Sequence, residues 1–488
     1  MNTIQISPFP TKELIFVSGL CEQVIIGGRD KFPIVENALV GIKKVGVIGW
    51  GSQGPAQAQN FRDTLKEINS HILVTVGLRE GSSSIPAANA AGFNKEEGSL
   101  GEMYKVISES DLVILLISDG SQTENYKEIF AHMKDGATLG LSHGFLEGYL
   151  TGIGEAFPDN INVVMVAPKG MGPSVRRLYL QGLEEGGSGI NSSIAVHQDV
   201  GNAYSIAVGW AVAIGSPVVF NTTIPQEWRS DLFGERAILL GGLWGMVEAL
   251  HENFCDVSEP DVAFENSVLA LTTFISPEIS KLGLVGFYEK YIQGGYEFAF
   301  NRGYSYSYGP FEDVMNKIYD NVDSGQEIKD VVEATGLLDD FPMESVETNE
   351  MWEIGKKVSA EVGSVTEISE YVAMTAGAFI AGVMAQFRLL RSKGHCVSEI
   401  VNESLIEATD SLVPYMEAKG VSYMVDNCST TARLGTRRYG PMFYKELQTS
   451  FYLGSKEPFD DDWMSDPIHT DIEACYEYKP SVAIAVAT

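Results

Sequence analysis

Residues 44–60 read K-V-G-V-I-G-W-G-S-Q-G-P-A-Q-A-Q-N, and the fold follows from this stretch. Val45 to Ile48 form a short apolar run of strand type, and the Ala- and Gln-rich segment after Pro55 is helix-forming. Between them Gly49, Gly51 and Gly54 stand in G-x-G-x-x-G spacing. Gly49 allows the tight turn, Gly51 admits a pyrophosphate to the backbone, and Gly54 lets helix pack on strand. The helix N-terminus then offers unpaired N–H groups and the positive end of its dipole to phosphates. A lone glycine triplet is a weak signal. Directly after a strand and opening a helix, it marks a dinucleotide loop made of Gly49, Trp50, Gly51, Ser52, Gln53 and Gly54.

Outward from this loop, apolar runs recur between helix-like stretches at Leu73–Gly77, Leu112–Ile117, Thr138–Leu141, Val163–Val166, Ile194–Val196 and Val218–Phe220. Such βαβ alternation predicts a doubly wound parallel sheet. From about Pro225 the period changes to helical, over 226–251, 261–282, 366–392 and 398–417. The reading is an α/β Rossmann domain over 1–223 followed by an all-α domain over 224–488. Segment 300–350, poor in apolar residues and rich in Tyr, Gly and Asp, has no assigned structure at this level. V-S-E before F-E-N-S-V-L (264–269) and V-S-E before N-E-S-L-I-E (402–407) form a faint internal echo, which hints at a duplicated helical unit.

The second strand selects the cofactor. Where NAD enzymes place an acid for the ribose hydroxyl, this chain has Arg79, then Ser82, Ser83 and Ser84, which suits the 2′-phosphate of NADPH; Glu80 is the one discordant charge. A net charge of −31 excludes a nucleic-acid partner, since phosphate backbones need a positive footprint. It also requires any site for a small anion to be locally positive or to hold a metal. Five scattered cysteines, none in a C-x-x-C pair, read as reduced thiols. The uncharged run 371–387 is short for a bilayer and rich in Ala and Gly, so it reads as a buried core helix and no membrane contact is expected.

Glu227, Asp231 and Glu235 fall at i, i+4 and i+8 of one predicted helix, and Glu403 and Glu407 repeat the i, i+4 step on another. Each such step drifts about 40° and rises about 6 Å, so the carboxylates share a face. For either helix alone a solvated acidic face is the commoner explanation. The apolar stretch Ala237–Val247 after Glu235 tips the balance toward buried carboxylates, which repel unless cations neutralise them; oxygen-only donors suit Mg²⁺. His143 (L-S-H-G-F) and Lys169 (V-A-P-K-G) each follow a predicted strand, on the edge where open α/β sheets bind ligands.

At these residues the chain resembles the ketol-acid reductoisomerases, in particular their long, plant-like form. The resemblance runs through 46–60, L-S-H-G-F, A-P-K-G-M-G-P-S-V-R-R-L-Y (167–179), S-D-L-F-G-E (230–235), N-E-S-L-I-E and M-V-D-N-C-S-T-T-A-R-L-G (424–435), with 285–350 the least familiar part. It implies that Asp231 bridges two Mg²⁺ ions, with Glu235 on the first and Glu403 on the second. Glu227 and Glu407 complete the acidic cluster. Ser429 meets the substrate carboxylate, and His143 and Lys169 flank the metal–substrate site. Arg79, Ser82 and Ser84 match the NADPH-phosphate position, and Gln122 is placed with the cofactor residues. The helical domain is expected to be duplicated and knotted, and a homo-oligomer is expected. The implied substrate is a small 2-hydroxy-3-keto acid, rearranged and then reduced; the base is a carboxylate or a hydroxide. A plain 2-ketoacid reductase would need one cation and no acidic cluster, and a non-catalytic sensor would have lost the carboxylates. With no transit peptide recognised before Gly27 and a start at Met1, the expectation is a cytoplasmic enzyme, with a processed plastid form as the alternative.

Overall fold

The computed structural model describes residues 7–17, 19–185, 189–454, 460 and 462–479. Its strands are β1 (Thr11–Ile15), β2 (Cys21–Ile26), β3 (Lys44–Ile48), β4 (Leu73–Leu78), β5 (Leu100–Glu102), β6 (Leu112–Leu115), β7 (Thr138–Leu141), β8 (Asn162–Pro168), β9 (Ser192–Gln198) and β10 (Val218–Asn221). They form one sheet in the order β1-β2-β10-β9-β8-β7-β6-β3-β4-β5. The six strands from β5 to β8 are parallel, with the chain reversing its winding between β3 and β6. That is the Rossmann arrangement, whose ligand crevice opens at this reversal.

All seven expected strands form, but the sheet is not parallel throughout. β9 runs antiparallel to β8, its Ser192 opposite Pro168, and β10 pairs in parallel with β9. The helix between β8 and β9 therefore leaves and returns at one edge of the sheet without crossing it. A buried strand has the same apolar pattern in either direction, so periodicity could not show this. β1 and β2 form an antiparallel ribbon that extends the sheet beyond β10. They escaped notice because β1 is an exposed edge carrying Lys12 and Glu13, as edge strands commonly do.

The helices that position the site are α1 (Gln53–Glu67), α2 (Asp119–His132), α3 (Ile224–Arg236), α4 (Gly241–Cys255), α5 (Pro260–Tyr291), α6 (Glu297–Asp323), α7 (Gln326–Thr335), α8 (Glu370–Ser392), α9 (397–419) and α10 (Thr430–Leu453). The expected helix over 226–251 is two helices, broken where Ala237 leaves helical geometry (ψ −126°). Segment 300–350, unassigned from sequence, is mostly α6 and α7. The buried face of α6 is Phe300, Tyr304, Ser307, Phe311, Val314, Met315, Ile318 and Val322. That face has helical period, but its Tyr, Ser and Gly residues and the internal Pro310 hid it. α8, the uncharged run, is a core helix buried over nearly its whole length.

The internal echo is a real duplication in a different register. α5 carries two π-helical stretches, Glu265–Leu269 and Leu271–Ile275, and α9 carries two more, Asn402–Ile406 and Ala408–Leu412. Counterparts lie 137 positions apart throughout: 265 with 402, 271 with 408, Pro277 with Pro414, and Gly283 (φ 72°) with Gly420 (φ 87°). The V-S-E half of the echo falls three residues out of this register. The copies pack crosswise. α4 lies on α10, where a side chain at Gly245 would collide with the Gly440 carbonyl at 2.5 Å. α6 lies on α8, where one at Gly377 would meet the Phe300 carbonyl at 2.2 Å. One hydrophobic cluster runs from one face of the sheet into this helical layer, and a second covers the opposite face.

Candidate active site

The glycine loop has the geometry its sequence demands. Gly49 has φ 109°, and a side chain at Gly54 would strike the Gly49 carbonyl at 2.5 Å, so α1 packs directly on the turn. A Cβ on Gly51 would meet nothing closer than 4.0 Å, leaving room for a ligand. Ser52 Oγ donates to the Asn427 carbonyl (2.6 Å) and accepts from the Gly172 N–H (3.3 Å), so the loop touches the helical domain. Trp50 turns away and packs edge-on against Phe93. Gln122, in the first turn of α2, donates to the Ile117 carbonyl (2.9 Å). Arg79 directly follows β4, exposed and without an ion pair among the described residues, with Ser82 and Ser84 half-buried in the turn beyond it.

From this loop a cavity of about 410 Å³ runs to the carboxylates, lined among others by Ser52, Gln122, His143, Asp231, Glu235, Glu407 and Ser429. α3 begins cleanly because the Thr223 hydroxyl accepts from the Gln226 N–H (3.2 Å) and Pro225 sits in its first turn. Trp228 Nε1 donates to Glu147 (3.0 Å), tying α3 to the sheet domain. α9 is held at its start by Glu22 of β2, which accepts from the N–H groups of Val397 (2.6 Å) and Ser398 (3.1 Å). Gln386 of α8 joins the break just after α3 to α9, accepting from Ile238 N–H (3.1 Å) and donating to Ser404 Oγ (2.8 Å). π-helical stretches such as those around Glu403 and Glu407 concentrate at functional sites.

The expected carboxylates converge. Glu227 and Glu403 are fully buried, while Asp231, Glu235 and Glu407 face the cavity. His143 Nδ1 lies 3.0 Å from Asp231 and 3.4 Å from Glu227, whose Oε2 also accepts from Gly144 N–H (2.8 Å). Lys169 Nζ lies 2.6 Å from Glu403 and 3.8 Å from Glu227. Oε1 of Glu227 and Oε1 of Glu403 are buried with no hydrogen-bond partner. Such atoms are costly unless something absent from the protein chain satisfies them. Oxygens of Glu227 and Asp231 and a ring nitrogen of His143 lie within 4.8 Å of one another, close enough to share one ion.

The electrostatics record this crowding. Burial, reinforced by neighbouring carboxylates, drives Glu235 and Glu403 well above the ordinary range and Glu407 up to about 8. For His143 and Lys169 burial works against the charge, but Asp231, Glu227 and Glu403 outweigh it and both are held well above their ordinary values. Ser429 caps α10, its hydroxyl accepting from Ala432 N–H (2.9 Å). Sequence reasoning missed Asp119, Arg236, Gln386 and Thr431. Asp119 follows a strand end, the rule that picked out His143 and Lys169, and could have been found the same way. Nothing in the sequence pointed to the other three.

A Rossmann sheet with a glycine loop, opening onto buried carboxylates from a helical domain, defines a nicotinamide-dependent oxidoreductase with a second domain that completes its site. Residues 39–218 match the family described as "Acetohydroxy acid isomeroreductase, NADPH-binding domain", and 224–363 and 369–453 match "Ketol-acid reductoisomerase, C-terminal domain". The chain belongs to the ketol-acid reductoisomerase family and is an oxidoreductase-isomerase of that kind. It is 49% identical to the chloroplastic enzyme of Spinacia oleracea over 97% of its own length and 82% of that enzyme's. To the chloroplastic enzyme of Pisum sativum it is 48% identical, over 97% and 84%. An NADH-preferring ketol-acid reductoisomerase from an uncultured archean shares the fold (TM-score 0.55, 24% identity, 73% of this chain and 98% of that one). The plant relatives correct the cytoplasmic expectation, since both are chloroplastic. That expectation had rested on the N-terminal residues, which do not decide the compartment.

Proposed function

We propose that this chain converts 2-acetolactate or 2-aceto-2-hydroxybutanoate to the 2,3-dihydroxy acid, by Mg²⁺-dependent alkyl migration followed by reduction with NADPH, in valine, isoleucine and leucine synthesis. The observation that carries the reading is the meeting of five carboxylates, from α3 and α9, at the end of the cavity that starts at the glycine loop. The site is dominated by carboxylate oxygens, donors suited to a hard divalent cation, and the unpartnered oxygens of Glu227 and Glu403 fit one. Asp231, Glu235 and Glu403 would hold the Mg²⁺, with Glu227 and Glu407 completing the set. When bound, the ions supply Lewis-acid polarisation of the substrate oxygens and NADPH supplies the hydride.

The chain's own groups do the rest. Because the Ser429 hydroxyl accepts from Ala432 N–H, its proton is free for the substrate carboxylate, at the positive end of the α10 dipole. Glu407, on the cavity wall and ionised once the cations are loaded, would take up the proton of the substrate's tertiary hydroxyl. His143 and Lys169, kept cationic by their neighbours, put positive charge beside the oxygens where negative charge develops. Arg79, Ser82 and Ser84 would hold the 2′-phosphate of NADPH, with the glycine loop and Gln122 along the remainder of the cofactor. The chloroplastic location of the spinach and pea enzymes supports a plastid compartment. The crosswise packing of α4 on α10 and α6 on α8 supports one helical repeat being threaded through the other, the knot implied by the resemblance.

The test is NADPH oxidation with 2-acetolactate, with and without Mg²⁺, beside Asp231→Asn. Turnover that needs Mg²⁺ and disappears in the variant is the expected result. Turnover only with 2-ketoacids, indifferent to Mg²⁺, would reduce the protein to a plain reductase.

A further inference from the structure

Thr431 lies two residues beyond Ser429 in the first turn of α10, and it is 1% exposed. Its hydroxyl donates to the carboxylate of Asp119, a buried residue at the start of α2 in the nucleotide domain. Its carbonyl accepts from Arg236 Nη2 (3.3 Å), the last residue of α3 and the neighbour of Glu235. Arg236 is wholly buried and is itself fixed by Glu327 of α7 (2.7 Å) and by the Leu232 carbonyl (2.9 Å). One residue therefore ties the turn carrying Ser429 to the cofactor domain on one side and to the carboxylate helix on the other. Asp119 and Ser429 line the same cavity.

We infer that Thr431, clasped by Asp119 and Arg236, is a positioning residue that holds Ser429 in register with the cofactor loop and the carboxylate cluster, and so sets substrate affinity. This rests on the reading of Ser429 as the carboxylate-binding residue. Without the clasp the α10 turn keeps its own cap, Ser429 to Ala432, and the bond from Ser52 to the Asn427 carbonyl, but loses its buried side-chain tether to α2. The cost falls on groups that need both domains at once. A small substrate held between Ser429 and the cluster needs both. Cation binding between α3 and α9, or NADPH binding on the Rossmann edge, does not. A displacement on the order of 1 Å at such a contact is enough for a tenfold or greater loss.

Thr431→Val removes the hydroxyl at nearly constant volume, Thr431→Ser keeps it, and Asp119→Ala breaks the same bond from the other side. Thermal melts check that each variant is folded. Expected for Thr431→Val and Asp119→Ala is a KM for 2-acetolactate raised about tenfold or more, with a smaller change in kcat. Mn²⁺ affinity by electron paramagnetic resonance and NADPH affinity by fluorescence should stay within about twofold. Thr431→Ser should restore KM, and the double variant should be no worse than either single one, since both break one bond. An unchanged KM in folded Thr431→Val overturns the inference. So do losses of Mn²⁺ and NADPH affinity in step with KM, which would make Thr431 a general structural residue. Calorimetric binding of a non-reacting 2-hydroxy-2-methyl carboxylate, with NADPH and Mn²⁺ present, separates the two readings. Failure of the unmodified protein to bind it refutes the role of Ser429. Equal binding by protein and variant refutes the clasp alone.

Discussion

Loading the carboxylate cluster with Mg²⁺ should expel protons, and the structure sets how many. Burial, with Asp231 and Glu227 close by, pushes the Glu407 carboxyl from its ordinary 4.5 up to about 8, Lys169 only partly offsetting them. At pH 7 such a group is protonated in about nine molecules of ten. A cation requires the carboxylate, so Glu407 alone should release about 0.9 proton on loading. Glu235 is raised well above the ordinary range by the same burial, so the total at pH 7 should exceed the share of Glu407. By pH 9 the share of Glu407 should fall to about 0.1. The same shift governs the stability of the metal-free protein. Between 4.5 and about 8 the folded chain keeps a proton that the unfolded chain has lost. Its contribution is therefore complete below 4.5 and is lost as pH rises through about 8. At about 1.4 kcal/mol per pH unit the loss is at most about 5 kcal/mol, trimmed because Glu407 keeps one edge on cavity water. His143 and Lys169, also raised, act with the same sign, each above its own ordinary value. The assay is Mg²⁺ calorimetry in two buffers of different ionisation enthalpy, with melts at about pH 6 and pH 8.5, with and without Mg²⁺. A zero buffer slope at pH 7, or a metal-free melting point that does not fall with rising pH, would refute the reasoning. Glu407→Gln should flatten both responses.

Three further outcomes are expected. Arg79→Ala removes an exposed guanidinium with no ion partner among the described residues. It should weaken NADPH binding by about 10- to 100-fold and leave NADH nearly unchanged, measured by fluorescence titration. Lys169→Met strips Glu403 and Glu227 of their cation and should cut kcat by about 10²- to 10⁴-fold at saturating Mg²⁺; kcat within twofold of the unmodified protein would remove Lys169 from the chemistry. Glu327→Ala leaves Arg236 charged and wholly buried, and leaves Tyr439 without its acceptor, which should cost about 3–5 kcal/mol in chemical denaturation. A loss below about 1 kcal/mol would show that water reaches the pair.

Features that depend on neighbours in the chain were legible in the amino-acid sequence. The glycine loop needs three small residues at fixed offsets after one strand, and the strands of the sheet announce themselves by local apolar runs. The i, i+4 spacing by itself put Asp231 and Glu235 on one face of α3, and Glu403 and Glu407 on one side of α9. Strand ends named His143 and Lys169 by the same kind of local rule. Relations between distant segments emerged only with the folded chain. That Lys169 meets Glu403, and His143 meets Asp231, depends on packing α3 and α9 together through Gln386 and against the sheet edge. The antiparallel turn of β9, the helix made by the tyrosine- and glycine-rich stretch 297–323, and the 137-residue register of the duplication all lie in the same class. So does the meeting of Asp119, Arg236 and Thr431, which only folding brings together. Local pattern records which face of an element is apolar; which faces meet depends on how the whole chain fills space, and that information is spread over hundreds of residues at once.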